Sequence, residues 1–222
     1  MSSFSADFLD RDYEVKIGEY FGRGWQIFKE YAWGYVAFTL VSGMIAIALA
    51  QLPSPLGART ADGEFGGMSL LLNIISPILG AGYYFVSFQI ARNRPKGFGD
   101  FFNGFKKFLP LFLTALVSTI LIALGFVVLI IPGIYLAVSY MFAQLLVIDK
   151  NMSFWSAMET SRKLITKKWF SFFGLSILMG LLALAGFLLF GIGAFVTIPL
   201  ATCVLAAAYE DIVGLNSVAE EI

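Results

Sequence analysis

The sequence predicts an all-α fold: a polytopic membrane helix bundle of six transmembrane helices, arranged as three hairpins, each preceded by a cytoplasmic interfacial amphipathic helix. Three observations carry that prediction. First, Phe108–Ile148 and Trp169–Tyr209 each run 41 residues without an Asp, Glu, Lys or Arg. At a 1.5 Å rise per residue such a run reaches roughly 60 Å, twice the hydrocarbon core that about 20 helical residues cross. Second, hydrophobic residues make up 59% of the chain and charged residues 14%, against about 45–50% and about 25% in soluble domains. Third, fourteen of the 15 basic residues fall in alternate connections along the chain.

The elements follow in order. Residues 1–30 mix Asp7, Asp10, Asp12, Glu14, Glu19 and Glu30 with four cations, which is unlike a cleavable signal with its basic start and apolar run. They form a cytoplasmic amphipathic segment ahead of a six-span bundle over 31–212, and 213–222 make a short cytoplasmic tail; the 222 residues form one membrane domain. The first span is expected over Ala32–Leu52. A loop rich in Gly and Pro, from Pro53-Ser54-Pro55 to Gly66-Gly67, leads to a second over Met68–Ala91. The charge-free runs divide at expected turns, Pro132-Gly133 in one and Gly191-Ile192-Gly193 in the other. Glycine permits positive φ and close approach there, and proline removes a backbone donor. The resulting spans are Phe108–Ile131 with Ile134–Ile148, and Trp169–Phe190 with Ala194–Tyr209. The second arms are short, since fifteen and sixteen helical residues cover only about 22 and 24 Å.

Orientation comes from the cations. Arg11, Lys16, Arg23 and Lys29 precede the first span; Arg92, Arg94, Lys96, Lys106 and Lys107 lie between spans two and three. Lys150, Arg162, Lys163, Lys167 and Lys168 lie between spans four and five, and Arg59 alone falls in the opposite set. The positive-inside rule puts the basic side, with both termini, in the cytoplasm.

Each pair of spans is introduced by a basic, aromatic segment: 19–29, 101–107 and 158–168. Ile17, Phe21, Gly24 and Phe28 share one helical face in the first, and Phe154, Met158, Ser161 and Ile165 in the third. Pro77 and Gln89 stand at the same separation as Pro132 and Gln144. The chain therefore reads as three degenerate units. Arg23, Lys29, Lys106, Lys107, Arg162, Lys163, Lys167 and Lys168 are the candidate contacts with anionic lipids or an acidic partner, because interfacial cations anchor and snorkel. Within the spans Asn73, Gln89 and Gln144 lead a modest polar set with Ser76, Ser118, Thr119, Ser139, Thr197 and Thr202, expected to hydrogen-bond between helices. Small residues at Ser42, Ala46 and Ala50 suggest a packing stripe.

Several chemistries are excluded. The chain has no histidine, which removes Ser-His-Asp and Cys-His pairs, histidine-rich zinc sites and imidazole haem ligation. No phosphate loop of the Gly-x-x-x-x-Gly-Lys-Ser/Thr type occurs, and Gly191-Ile-Gly193 lacks the third glycine of a dinucleotide fold. The lone Cys203 cannot form an intrachain disulfide. No carboxylate or cation lies mid-span, where coupled transporters usually place one; Asp149, Glu210 and Asp211 stand at span ends. No catalytic residue, cofactor, metal or nucleic-acid partner is expected.

The run Ile130-Ile-Pro-Gly-Ile-Tyr-Leu-Ala-Val-Ser-Tyr140 through Asp149, followed by Ala157-Met-Glu-Thr-Ser-Arg-Lys-Leu164, resembles a group of bacterial six-span membrane proteins of unknown function. That group is similar to the membrane domain ahead of the catalytic domain in some glycerophosphodiester phosphodiesterases. The resemblance covers about 130 residues from Asn93 onward. It implies the six-span plan and the amphipathic connector but no activity, because the chain has no room for a phosphodiesterase barrel; the expected location is a bacterial inner membrane. Two expectations remain: a non-enzymatic accessory or scaffold subunit, with a membrane-protein partner or a second copy, or a channel-like carrier for a lipid, peptide or other amphiphile.

Overall fold

The computed structural model describes residues 7–51, 68–188, 191 and 193–215, and every regular element among them is helical. Helices α1 (Asp7–Asp10) and α2 (Ile17–Glu30) precede the first hairpin, α3 (Ala32–Gln51) and α4 (Met68–Ala91). A 3-10 connector, Phe98–Lys107, leads into α5 (Phe108–Val128), α6 (Ile130–Ser139) and α7 (Ala143–Lys150). Helix α8 (Phe154–Thr166) introduces α9 (Trp169–Leu188) and α10 (Ala194–Ile212). Six segments are long and apolar enough to cross a membrane: α3, α4, the connector with α5, α6 with α7, α9 and α10. The loop carrying Arg59 lies outside the described residues.

The two arms of each hairpin differ in burial. The second arms are 50%, 44% and 50% buried, the first arms 22%, 17% and 17%, so α4, α6–α7 and α10 form an inner layer that α3, α5 and α9 flank. A helix that is apolar all round has no preferred packing face and is stable against lipid. Met44, Ile120, Leu124, Leu181 and Phe187 accordingly point outward.

Each amphipathic segment seats on the second arm of the preceding hairpin, and the arrangement closes on itself. The connector packs on α4, α8 on α6 and α7, and α2 on α10. A small residue stands at each contact. A Cβ on Gly104 would lie 2.5 Å from the Ile78 carbonyl oxygen, and one on Gly24 would lie 2.7 Å from the Val204 nitrogen; at the third contact Ser161 hydrogen-bonds α6 directly. These residues share one frame: Phe21-x-x-Gly24-x-x-x-Phe28, Phe101-x-x-Gly104-x-x-x-Phe108 and Met158-x-x-Ser161-x-x-x-Ile165. The inner arms are also followed by matching stops, since Asn93, Asn151 and Gly214 have φ of 53°, 51° and 75°. Asn and Gly are the residues that enter this left-handed region most readily.

The first hairpin turn of the charge-free runs is not where Pro132-Gly133 suggests. The chain reverses at Leu129, which is extended at φ −160° and ψ 149°, and α6 starts at Ile130. Pro132 sits in the first turn of α6, where a backbone N–H has no intrahelical partner and its loss is harmless. Gly133 serves close packing, because a Cβ there would stand 2.4 Å from the Phe126 ring. Starting early lengthens the second arm to 21 residues, Ile130–Lys150, so it is not the short arm expected. It breaks at Tyr140–Phe142, where the Met141 N–H bonds the Val138 carbonyl at 3.2 Å and the Ala143 N–H bonds that of Tyr140 at 3.0 Å. In the third hairpin Gly191 does take the turn conformation, at φ 75°, and Gly193 is the N-cap of α10.

Aromatic side chains fill the interior. Phe38 stacks on Phe101 at 4.4 Å between ring centroids, with Tyr35 and Tyr83 beside them. Phe142 meets Phe172 and Tyr209 edge-on at 5.4 and 5.5 Å. Such pairs add about 0.5–1.5 kcal/mol beyond their buried area.

Candidate functional site

The inner arms carry a polar cluster at their basic ends. Asp149, in the last turn of α7, is fully buried. It is ion-paired with Arg92, which follows α4, and lies 3.2 Å from the Lys150 ammonium. Tyr209 of α10 donates its hydroxyl hydrogen to the same carboxylate at 3.0 Å. A lone buried carboxylate is strongly disfavoured, and two cations with a phenol supply the charge balance and donors it requires. Asp149 thus ties all three hairpins together and does more than mark a helix end.

Beside this cluster a cavity of about 570 Å³ opens between the end of α4, the connector and the end of α7. Gln89, Arg92 and Arg94 line it from the α4 side, Asn103, Lys106 and Lys107 from the connector, and Asn151 from α7. Its described lining contains four cations and three amides but no carboxylate. Packing holds the geometry. Lys107 donates to the Ile148 carbonyl at 2.6 Å and lies over the Phe85 ring, and Arg92 lies over Phe88. The Gln89 side-chain oxygen is buried and accepts no hydrogen bond from the described residues.

The other predicted basic residues are divided among separate tasks. Arg23 grips Glu210 of α10 with two hydrogen bonds, at 3.0 and 3.1 Å, and this carboxylate holds the guanidinium pKa above its ordinary value. Lys29 lies over Trp25, 5.8 Å from the ring centre. Arg162 and Lys163 both pair with Glu159 one turn earlier, and the Arg162 hydrogen bonds hold that carboxyl below its usual range. Lys167 donates to the Leu9 carbonyl, and Lys168 lies 3.4 Å from Asp12. The basic face of α8 is therefore partly turned toward the N-terminal segment, whereas Lys106 and Lys107 join Arg92 and Arg94 in one cavity.

Of the intramembrane polar residues read from the sequence, Ser118 and Thr202 bond within their own helices, and the buried Ser139 and Thr197 hydroxyls have no hydrogen-bond partner among the described residues. Ser118 donates to the Thr114 carbonyl at 2.6 Å, and Thr202 to that of Pro199 at 2.7 Å. Interhelical bonds come instead from groups the sequence does not single out: Tyr35 with Ser87 and Thr39 with Tyr83, each at 2.8 Å. Gln144 is half-buried on α7, and the Asn73 side chain lies outside those described. Ser42 and Ala46 leave space: with Ser76 and Gly80 they line an apolar groove of about 210 Å³ between α3 and α4.

Six apolar helices with polar groups gathered at one end define a multi-pass integral membrane protein. No known family, curated protein or solved structure matches the chain.

Proposed function

We propose that the protein is a non-enzymatic accessory or scaffold subunit of a membrane assembly, with its basic end and both termini in the cytoplasm of a bacterial cell. The observation that supports this reading most is the closure of the interior. The interior is filled by fully buried Tyr35, Phe38, Phe142, Phe172 and Tyr209 from flanking and inner arms alike, and the one carboxylate buried among the described residues, Asp149, is held by Arg92, Lys150 and Tyr209. A through-going polar path would need titratable or hydrated groups at mid-depth, and a coupled step would need a carboxylate not already paired. Partners, whether another membrane protein or a second copy, would then bind the apolar outer faces of α3, α5 and α9, and anionic lipids the basic rim.

Reconstitution tests the reading. Liposomes containing the protein should show no protein-dependent dye efflux or movement of labelled lipid between leaflets, and crosslinking in native membranes should capture a defined partner or copy. Protein-dependent flux would overturn it in favour of a carrier, the second reading, which the apolar groove between α3 and α4 supports by offering width for an acyl chain. Orientation is checked separately with single cysteines: one at Arg59 should label from outside, and one at Lys163 only after the cytoplasmic face is opened.

A further inference from the structure

We infer that the tips of the second and third hairpins end inside the leaflet opposite the basic end, with lipid acyl chains as the partner that covers them. Around the α5–α6 turn Val127, Val128, Leu129, Ile130 and Ile131 are consecutive and 64–83% exposed. Ahead of the α9–α10 turn Phe187 and Leu188 are 70% and 73% exposed, and the residues that follow as far as Gly193 carry no polar side chain. A contiguous apolar surface of this kind is unfavourable in water and marks contact with a membrane or another protein. The first hairpin differs, because the connection between its arms includes Arg59, Thr60, Asp62 and Glu64. Of the three connections it alone carries charge, which belongs in water beyond the far edge of the bilayer.

Length and backbone bonding both fit lipid. Helices α5 and α9 have 21 and 20 residues, roughly 30 Å at a 1.5 Å rise, and a hydrocarbon core is about as thick. At the average tilt of about 20° neither has length left to carry its turn into water. Backbone lying in hydrocarbon must satisfy its own polar groups. In the α5–α6 turn only Leu129 is non-helical, and its N–H bonds the Gly125 carbonyl at 3.0 Å. Pro132 then removes one of the donors left over in the first turn of α6. In the α9–α10 turn the Gly191 N–H bonds the Phe187 carbonyl at 3.0 Å, and the Ala194 N–H that of Gly191 at 3.1 Å. Glycines bring the arms together just ahead of each turn: a Cβ on Gly125 would lie 3.0 Å from Gly133, and one on Gly186 would lie 2.0 Å from the Thr197 hydroxyl. Arms that approach this closely leave little room for water between them. The turns are distinct from the outer helix faces that the scaffold reading gives to partners, so that reading stands whether or not lipid covers the tips.

The test uses the full-length protein with Cys203→Ala and one added substitution, Val127→Cys, Leu188→Cys, Leu181→Cys or Arg59→Cys. Each variant is spin-labelled in detergent and reconstituted in vesicles of phosphatidylcholine and phosphatidylglycerol. Power-saturation electron paramagnetic resonance then compares collisions of the label with oxygen, which concentrates in hydrocarbon, and with a neutral nickel chelate, which stays in water. At 127 and 188 the oxygen-to-nickel ratio should exceed that at 59 by about fivefold or more, because polar solutes are kept out of the acyl region. It should approach the ratio at 181, an exposed side chain within α9. Nickel collisions at 127 and 188 as frequent as at 59 would show that the turns emerge into water, and few collisions with either reagent would show that protein, such as a second copy, covers them; both results overturn the inference. Should a tip variant not fold, Ile131→Cys and Phe187→Cys, at exposed side chains of the same two tips, give the same discrimination. Should Cys203→Ala not fold, the native Cys203 is kept, since it is fully buried and labelling can be restricted to the exposed thiol.

Discussion

The Ser161 hydroxyl donates to the Ser139 carbonyl at 2.7 Å and accepts the Phe142 N–H at 3.2 Å. One side chain from α8 thereby satisfies two backbone groups released where α6 stops and α7 begins. Buried backbone groups without water must find such partners, most of all at membrane depth.

Ser161→Ala should therefore destabilise strongly for a single oxygen. Leaving a buried donor or acceptor unpaired costs about 1–3 kcal/mol each, whereas Ser156→Ala, on the exposed face of the same helix, should change stability by less than about 0.5 kcal/mol. Cys203 is fully buried and is the sole cysteine, so a thiol-reactive dye reports unfolding directly in a thermal scan. Equal midpoints for the two variants would contradict the bridging role.

The Asp149 cluster makes a ranking prediction. Asp149→Asn removes the charge that Arg92 and Lys150 face, and breaking a buried pair from one side costs about 3–5 kcal/mol. Tyr209→Phe removes one hydrogen bond to that carboxylate, about 1.5–3 kcal/mol. The same dye scan should place Asp149→Asn below Tyr209→Phe, and both below wild type; the reverse order would mean that the carboxylate is not the centre of the cluster.

The spans are legible in the sequence because absence of charge is a local property: Met68–Ala91 coincides with α4, and Phe108 and Trp169 open α5 and α9. Pro132 misleads because the rule for proline depends on position within a helix; it reads as a break but is tolerated in a first turn. The cavity is not legible for a different reason. Counting cations treats Arg92, Lys107 and Lys163 alike, and only the seating of the connector on α4 brings Lys107 beside Phe85, while Lys163 stays on its own helix. Asp149 reads as a boundary marker because its partners Arg92 and Tyr209 stand 57 and 60 residues away. What the sequence does carry is the small residue at Gly24, Gly104 and Ser161, the common element of the three units.

That repeat predicts opposite outcomes for neighbouring glycines. Gly24→Ala and Gly104→Ala put a methyl against backbone at 2.7 and 2.5 Å, so α2 must lift from α10 and the connector from α4; overpacking of this kind costs about 1–3 kcal/mol. Gly22→Ala meets nothing within 4 Å and should stabilise α2 by up to about 1 kcal/mol through helix propensity. Denaturant titration in detergent separates the three. A destabilising Gly22→Ala, or a neutral Gly24→Ala, would show that α2 is not seated on α10.

The N-terminal segment should also have an alkaline limit. Tyr13 donates to the Leu164 carbonyl at 2.7 Å, and Tyr20 to Asp211 at 3.0 Å. Burial raises both phenols above their ordinary value, with Asp12 adding to the effect at Tyr13 and Asp211 at Tyr20. Only the neutral phenol can donate, and a pKa higher in the folded chain means that the unfolded chain releases its proton first as pH rises. The contribution is thus complete below the unfolded value near 10 and falls away above it. The Y13F/Y20F variant should lose about 1 kcal/mol per hydroxyl at pH 8 and show a shallower decline above pH 10, so that the gap to wild type narrows between pH 10 and 11.5 in matched denaturant titrations. A constant gap across that range would show that these hydroxyls do not titrate with folding, and a gap absent at pH 8 would show that they do not secure the segment to α8 and α10.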